Sequence, residues 1–345
     1  LAAAASASVD ATDLRGFAAS ACSRAAMESW LVGGSATTGA ADLVVLANPG
    51  DVAAQVTVAV YGATGAVVPP AGADIVVAAG TQRVIPLAAL ALGEENPILQ
   101  VTAAQAPVSA TLQASMTQVL VPSGLDQVGA SAVPAAQLVI PGVPVVAEPG
   151  AVGDSDVLTS LRLLAPSADA NAVVAIIRDG ALVTDPQVVV LTAGVPLQLD
   201  LGGLATGTYS VVVIASAPVT GAVRATSAFG AGNDFGWFVA APAVTTPTLV
   251  AVAVGASPLL TIASTSDRAQ SVGLTDDAGS GARTDVTVPA RGSVSVPVAA
   301  GTVYRLEPAA DGIHAAVTYA SADAVAGYPI AASDAAAAAI TVYPR

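Results

Sequence analysis

The sequence predicts an all-β chain built as three tandem, Ig-like antiparallel β-sandwich units. Three observations predict it. A phrase of two apolar runs around a short polar turn occurs three times, over Asp42–Gly62, Leu161–Gly180 and Leu259–Gly279. A second phrase also recurs, as VSATLQAS at 108–115, VTGAVRAT at 219–226 and IHAAVTYA at 313–320. Val108, Val219 and Ile313 therefore follow one another at intervals of 111 and 94 residues, too long for a solenoid repeat and suited to one small sandwich. The composition agrees: the apolar half of the chain is mostly Ala and Val, and 32 Gly and 23 Pro punctuate it. Val favours pleated, half-buried surfaces, and Gly and Pro mark the turns between short strands. A β-propeller to which each unit gives two blades fits the same spacing and stands as the alternative.

Taken in order, residues 1–29 show no period of two and read as an arm that follows a removed signal or membrane segment, because the chain opens abruptly on LAAAASAS. Within it, Ala-rich Asp13–Trp30 suggests a short helix or an ordered arm anchored by Trp30. The first unit spans 30–134, the second 135–244 and the third 245–345. Each opens its main hairpin on the repeated phrase, where Asp51, Asp169 and Asp267 occupy one place in the turn and are expected to cap their own local backbone. In the first unit a strand at Ile75–Ala78, a turn at Gly80 and a strand ending at Leu87 follow. Gly194 and Gly292 mark the same turn in the later units, ahead of PLQLDL and SVSVPV. Next come PILQVT, TYSVVVIA and TVYRLE, and then the second repeated phrase. Its period of two sets Val108, Ala110 and Leu112 against Ser109 and Gln113, and likewise the Val219 and Ile313 series against Thr220, Arg224, His314 and Thr318. One face is expected in the core and the other in solvent. The joints, 133–149 and 240–248, are Pro-rich but keep apolar strand-like pieces, so the units are expected to pack together. The closing ITVYPR is expected to complete the last sheet.

Charge excludes several functions. The chain has no Lys, and 11 Arg against 25 acids give −14. Such a field repels phosphate backbones and anionic headgroups, so no nucleic acid is expected as a partner, and the membrane only through a segment outside this sequence. No apolar run reaches the ~18–20 residues needed to span a bilayer. Cys22 has no second cysteine to pair with and reads as an unpaired thiol in a small apolar pocket.

The residues that neutral-pH chemistry needs are scarce. Acid–base and nucleophilic catalysis draws on His, Cys, Lys or paired carboxylates. Here there is one His, His314, which falls on the expected solvent face, and no G-x-S-x-G elbow that would build a triad on it. Glu94 and Glu95 are adjacent and would diverge on a strand. Asp276, Asp277 and Asp285, or Asp154 and Asp156, supply oxygens for calcium but follow no loop pattern and read as solvated tips. No catalytic, metal or cofactor-binding residue is therefore assigned, and no cofactor is expected. GAGNDFG at 230–236 has the wrong glycine spacing for a phosphate loop. Its aromatics stand out: Phe229, Phe235, Trp237 and Phe238 are four of the chain's twelve, gathered beside Asn233 and Asp234. They read either as a ligand site, a platform for stacking sugars, or as an inter-domain wedge between the second and third units.

Trp30-Leu-Val-Gly-Gly, Leu46-Ala-Asn-Pro-Gly-Asp51, Gly124-Leu-Asp-Gln-Val128 and Val139-Ile-Pro-Gly-Val143 resemble an actinobacterial family of extracytoplasmic proteins known only as a domain of unknown function. The resemblance covers most of residues 22–146 and fades beyond. It implies a protein tethered by an N-terminal membrane segment and displayed outside the cytoplasmic membrane, and it carries no functional residue over. The expectation is a non-catalytic cell-envelope protein with a structural or protein-interaction role. Its expected partners are another envelope protein, such as a membrane glycosyltransferase, or further copies of itself. The alternative is a module that binds cell-wall glycan.

Overall fold

The computed structural model describes residues 2–148, 159–228, 230–277 and 281–331. An N-terminal hairpin, β1 (Ala4–Asp10) and β2 (Arg15–Ala21), comes first, paired from Ala4–Ala21 to Asp10–Arg15. Of the short helix or ordered arm expected over Asp13–Trp30, the helix is absent: Arg15–Ala21 is strand β2. Ala-rich propensity is a weak prior that tertiary packing overrides, and β2 lies packed between strands of the first and third units. Cys22 falls just past β2, where the chain leaves the hairpin, and its thiol is exposed instead of pocketed.

The first unit contains β3 (Glu28–Val32), β4 (Leu43–Ala47), β5 (Ala54–Gly62), β6 (Gly65–Val67), β7 (Ile75–Val77), β8 (Gln82–Pro86), the helical turn α1 (Leu87–Ala91), β9 (Ile98–Ala104), β10 (Ser109–Gln118) and β11 (Val121–Val128). One sheet runs β3-β9-β5 with β6 and β7 beyond it. The other runs β11-β10-β4-β8. Val56, Val58, Val60 and Leu99 from the first meet Val44, Leu46 and Leu112 from the second in a buried core. Glu94 and Glu95 lie in the loop before β9 rather than on a strand.

The second unit contains β12 (Ala135–Val145), β13 (Thr159–Leu164), β14 (Ala170–Arg178), β15 (Ala181–Leu182), β16 (Gln187–Leu191), β17 (Leu197–Asp200), β18 (Gly207–Thr226) and β19 (Phe235–Val239). The 20-residue β18 serves both layers. Its first half pairs with β12 and β14, its second half with β13 and β19. The third unit contains β20 (Thr248–Ala251), β21 (Leu259–Ser264), β22 (Gln270–Asp276), β23 (Arg283–Val288), β24 (Ser293–Pro297), β25 (Val303–Pro308), β26 (Ile313–Ala320) and β27 (Val325–Pro329). They form the sheets β20-β25-β22-β23 and β24-β21-β26-β27. Every pairing is antiparallel, and each unit buries its own aliphatic cluster between two layers. The chain is an all-β array of sandwiches and not a propeller. The joint strands β12 and β20 enter the sheets of the second and third units. ITVYPR lies outside the described residues, as do Phe229, Asp154 and Asp156.

The repeated turn aspartates do not cap their own turns. Asp169 accepts the N–H of Ala193 at 2.8 Å and Asp267 pairs with Arg291, each 24 residues on. Local capping falls to neighbours: Asn48 accepts the N–H of Gly50 at 3.0 Å, and Ser264 that of Ser266. The units stack with their last strands together. β11 lies against β19, β19 against β27, and β2 fills the remaining place between β27 and β11.

Candidate functional site

The ring of β2, β11, β19 and β27 encloses two buried carboxyl groups, and Asp234 stands at its centre. This residue is only 4% exposed. One carboxylate oxygen, Oδ2, accepts the main-chain N–H of Phe17 (3.1 Å) and of Val325 (3.0 Å), while Oδ1 accepts that of Leu125 (3.3 Å). The N–H of Phe235 is a fourth donor. Leu125, Phe235 and Val325 are partners, across their hairpins, of Ser115, Thr226 and Ala320. These are the last letters of the three copies of the second repeated phrase. One side chain therefore ties the same position of all three units to each other and to the N-terminal hairpin.

Local sequence makes this approach feasible. Gly16 has φ of +149°, and a β-carbon there would sit 2.5 Å from Asp234 Oδ1. Gly124, at φ +95°, would place one 2.6 Å from the Phe235 ring. Only glycine admits both that backbone and that contact. Burial raises the Asp234 carboxyl to about 6, its backbone donors opposing the shift.

Asp126, fully buried on β11, accepts the N–H of Trp237 through Oδ2 (2.7 Å) and its own neighbour's, Gln127, through Oδ1 (2.8 Å). Burial, with the charge of Asp234 adding to it, pushes its carboxyl well above the usual range. Two neighbouring carboxyl groups are what acid–base chemistry uses. Here all four oxygens are occupied by main-chain donors from four strands.

Arg162 makes another inter-unit tie. It sits on β13 of the second unit, 3% exposed, and reaches into loops of the first. Nη1 donates to the carbonyls of Gly34 (2.9 Å) and Pro97 (3.0 Å), and Nη2 to Asn96 Oδ1 (2.9 Å). Its guanidinium lies 4.5 Å from the centre of the Trp237 ring, a cation–π contact strengthened by exclusion of water. Burial lowers its pKa to about 9, with the nearby Arg224 pushing the same way and the Asp42 carboxylate opposing. Asp42 holds the loop that receives this arginine, accepting the N–H of Ser35 (2.7 Å) and of Ser115 (2.8 Å). Burial raises that carboxyl to about 6 as well.

These contacts correct the expected solvent face. Thr220 and Thr318 are fully buried, and Arg224 and His314 are half-buried. Thr318 Oγ1 donates to the carbonyl of Gly142 at 2.7 Å across the second-to-third unit contact. His314 Nδ1 lies 2.8 Å from the Ala241 carbonyl, and burial lowers its pKa. The outward side of those strands faces another unit, so Thr220, Thr318 and His314 bond protein in place of water and Arg224 lies over the Phe235 ring.

The aromatic cluster is divided by the same geometry. Phe235, Trp237 and Phe238 are all buried. Phe235 and Trp237 join the core of the first unit, Trp237 lying over Gly33. Phe238 packs in the second unit's core and against Gly327 of the third. The rings fill contacts between the second unit and both of its neighbours, not the third alone, and no face of the three is open for stacking. Asn233 stays at the loop surface beside Asp234. The acids considered for calcium are spread out: Asp285 pairs with Arg283 and Asp277 with Arg305. Among the described residues no three His, Cys, Asp or Glu side chains form a metal-binding group, and no helix is long and apolar enough to cross a membrane.

A surface groove of about 420 Å³ separates the N-terminal hairpin from the third unit. It is lined by Ser8, Asp10, Arg15, Phe17, Tyr319 and Asp323, with the Phe17 and Tyr319 rings edge to face at 5.5 Å. Sequence reasoning passed over Arg162, Asp126 and Asp42. Their one signal is a single charge set inside an apolar phrase, as in LRLL and GLDQV.

A family model described as a family of unknown function (DUF5719) matches residues 1–299, and the chain belongs to that family. The match reaches the third unit, well past the stretch whose wording carried the resemblance. No curated protein matches the chain.

Proposed function

From membership of a family without an assigned activity, we propose that this is a non-catalytic, extracytoplasmic cell-envelope protein whose role is structural. It presents surface to other envelope proteins, a membrane glycosyltransferase among them, or to its own copies, and is held at the membrane by an N-terminal segment. One observation carries this reading. Of the groups able to do chemistry, Asp126, Asp234, Arg162 and His314 are committed to main-chain partners that join one unit to the next, and Asp42 to main-chain donors that hold the loop receiving Arg162. Such a body holds its surfaces at fixed spacing, which is what a scaffold requires. The test is protease accessibility of the tagged full-length protein in intact cells, with bifunctional cross-linking to a tagged envelope protein. Cleavage from outside together with a reproducible cross-link is expected; protection in the cytoplasm would overturn the reading.

The glycan-binding alternative gains support from the groove, since an aromatic edge beside Asp10, Arg15 and Asp323 offers a pyranose both apolar and hydrogen-bonding contact. Calorimetric titration with soluble cell-wall oligosaccharides tests it. Binding lost in Phe17→Ala is expected, and no heat with any oligosaccharide would dismiss it.

A further inference from the structure

Three equivalent outer sheet faces carry three different surfaces. In the second unit, β16, β14 and β18 place Val188, Val173 and Ile214 side by side in one row. Val190 lies in the next row, opposite Asn171. These side chains are 72%, 39%, 55% and 71% exposed respectively. The corresponding row of the third unit is Thr287 and Ser271, and the row beyond it, equivalent to Ala175 and Val212, is Asp285, Gly273 and Glu307, with the Arg283 guanidinium laid over the glycine and paired to both acids. In the first unit the two rows are Val76, Gln55 and Ala104, then Thr57 and Thr102.

The neighbouring edge strands differ in the same sense. β7 is three residues long, and β23 carries the charges of Arg283 and Asp285. Short length and charge are the two common guards against edge-to-edge pairing. β16 has neither: it is five residues, QVVVL, paired on one side only among the described residues. Leu182 and Val183, both exposed, extend the apolar border toward β15.

We propose that β16 and its apolar face form a two-fold interface with a second copy of this chain, the two β16 strands pairing antiparallel so that the sheets continue into one another. The occupant follows from charge. The chain carries −14, so two copies repel each other wherever charged surfaces approach. Around this row Gln137, Asn171, Ala175 and Val212 are also uncharged, so the face offers an ionic partner nothing to recognise. A second copy supplies the same unguarded edge and the same apolar row, which is the self-complementarity a two-fold contact needs. The inference holds wherever the protein resides, and its failure would leave the scaffold reading standing.

Sedimentation velocity of the full chain across the micromolar range tests it, in a Cys22→Ser background that removes adventitious disulfides. Wild type is expected to pass from monomer to dimer. Val188→Lys with Val190→Lys is expected to weaken dimerisation by at least about 100-fold, since like charges then face each other across the paired edge. That variant also brings the net charge nearer zero, so its loss of association could not come from overall repulsion. Val188→Thr with Val190→Thr, which keeps two β-branched residues on the strand, gives a smaller weakening and covers the case in which the lysine pair disturbs folding. Gln55→Lys with Thr57→Lys, on the equivalent face of the first unit, is expected to dimerise as wild type. A wild-type chain that stays monomeric throughout, or a lysine pair at β16 that dimerises unchanged, overturns the proposal.

Discussion

The two outer faces of the second unit reverse the usual rule of polar outside and apolar inside. On the layer formed by β13, β17, β19 and the second half of β18, the side turned away from the unit's core carries Arg162, Thr220 and Arg224, and it is covered by the first unit. On the layer formed by β14, β16 and the first half of β18, the corresponding side carries Val173, Val188, Val190 and Ile214, and it is open. Polar groups are tolerated in the closed face because Arg162 finds fixed acceptors for both its terminal nitrogens, Thr220 finds Ser131, and Arg224 lies over the Phe235 ring; burial without a partner would cost several kcal/mol. Aliphatic groups are tolerated in the open face because single exposed side chains cost little; a cluster of four, three of them in one row across three strands, is a surface with a use.

The contrast can be broken at the closed face first. Asp234→Ala should produce the largest loss, about 3–5 kcal/mol or failure to fold, since it leaves N–H groups of the first unit, the third unit and β2 without an acceptor. Urea unfolding measures it; a loss below about 1 kcal/mol would mean that the bonds seen at this carboxylate are replaced by water. Arg162→Ala should cost about 2–4 kcal/mol by stranding the carbonyls of Gly34 and Pro97 and opening space beside Trp237. Because Trp237 loses its covering cation, a change in tryptophan fluorescence should accompany the loss.

A pH series sharpens the same face. The native carboxyls of Asp42 and Asp234 titrate near 6, against 3.8 for the ordinary group. Between those values the folded chain holds more protons than the unfolded one. The stability these two groups lend is complete below about pH 4 and fades as pH rises through 6, by at most about 1.4 kcal/mol per pH unit for each. Unfolding midpoints should fall from pH 5 to pH 7, and Asp42→Asn should flatten that slope; a wild-type midpoint that rises over this window contradicts the assignment.

The smallest effects belong to the open faces. Val190→Thr should leave monomer stability within about 0.5 kcal/mol of wild type, because its side chain already meets water. Arg283→Ala on the third unit should be equally silent in thermal melts, its ion pairs being solvent-screened. A large loss from either would show that the open faces are covered.

Much of the architecture was legible. The phrases at 108–115, 219–226 and 313–320 became β10, the second half of β18 and β26, each paired with the strand that its repeat implies. The place of Trp237 was less legible: a wedge between the second and third units was expected, and the ring packs instead in the core of the first. Arg162 was not legible, because nothing local tells a solvated arginine in LRLL from one inserted into another unit's carbonyls. The N-terminal hairpin was missed for a related reason. ASASV and GFAAS hold little strand propensity, and β2 is extended because β11 and β27 grip it from both sides.

Local sequence carries the strands of the three units, their period of two and their repetition, because alternation and turn chemistry act over a few residues and leave a local record. Only the tertiary structure decided which of two opposite faces is closed. A period of two says that neighbouring side chains diverge; it cannot say what lies across from them. That depends on contacts such as Asp234 with Phe17, Leu125 and Val325, residues separated by 217, 109 and 91 positions along the chain.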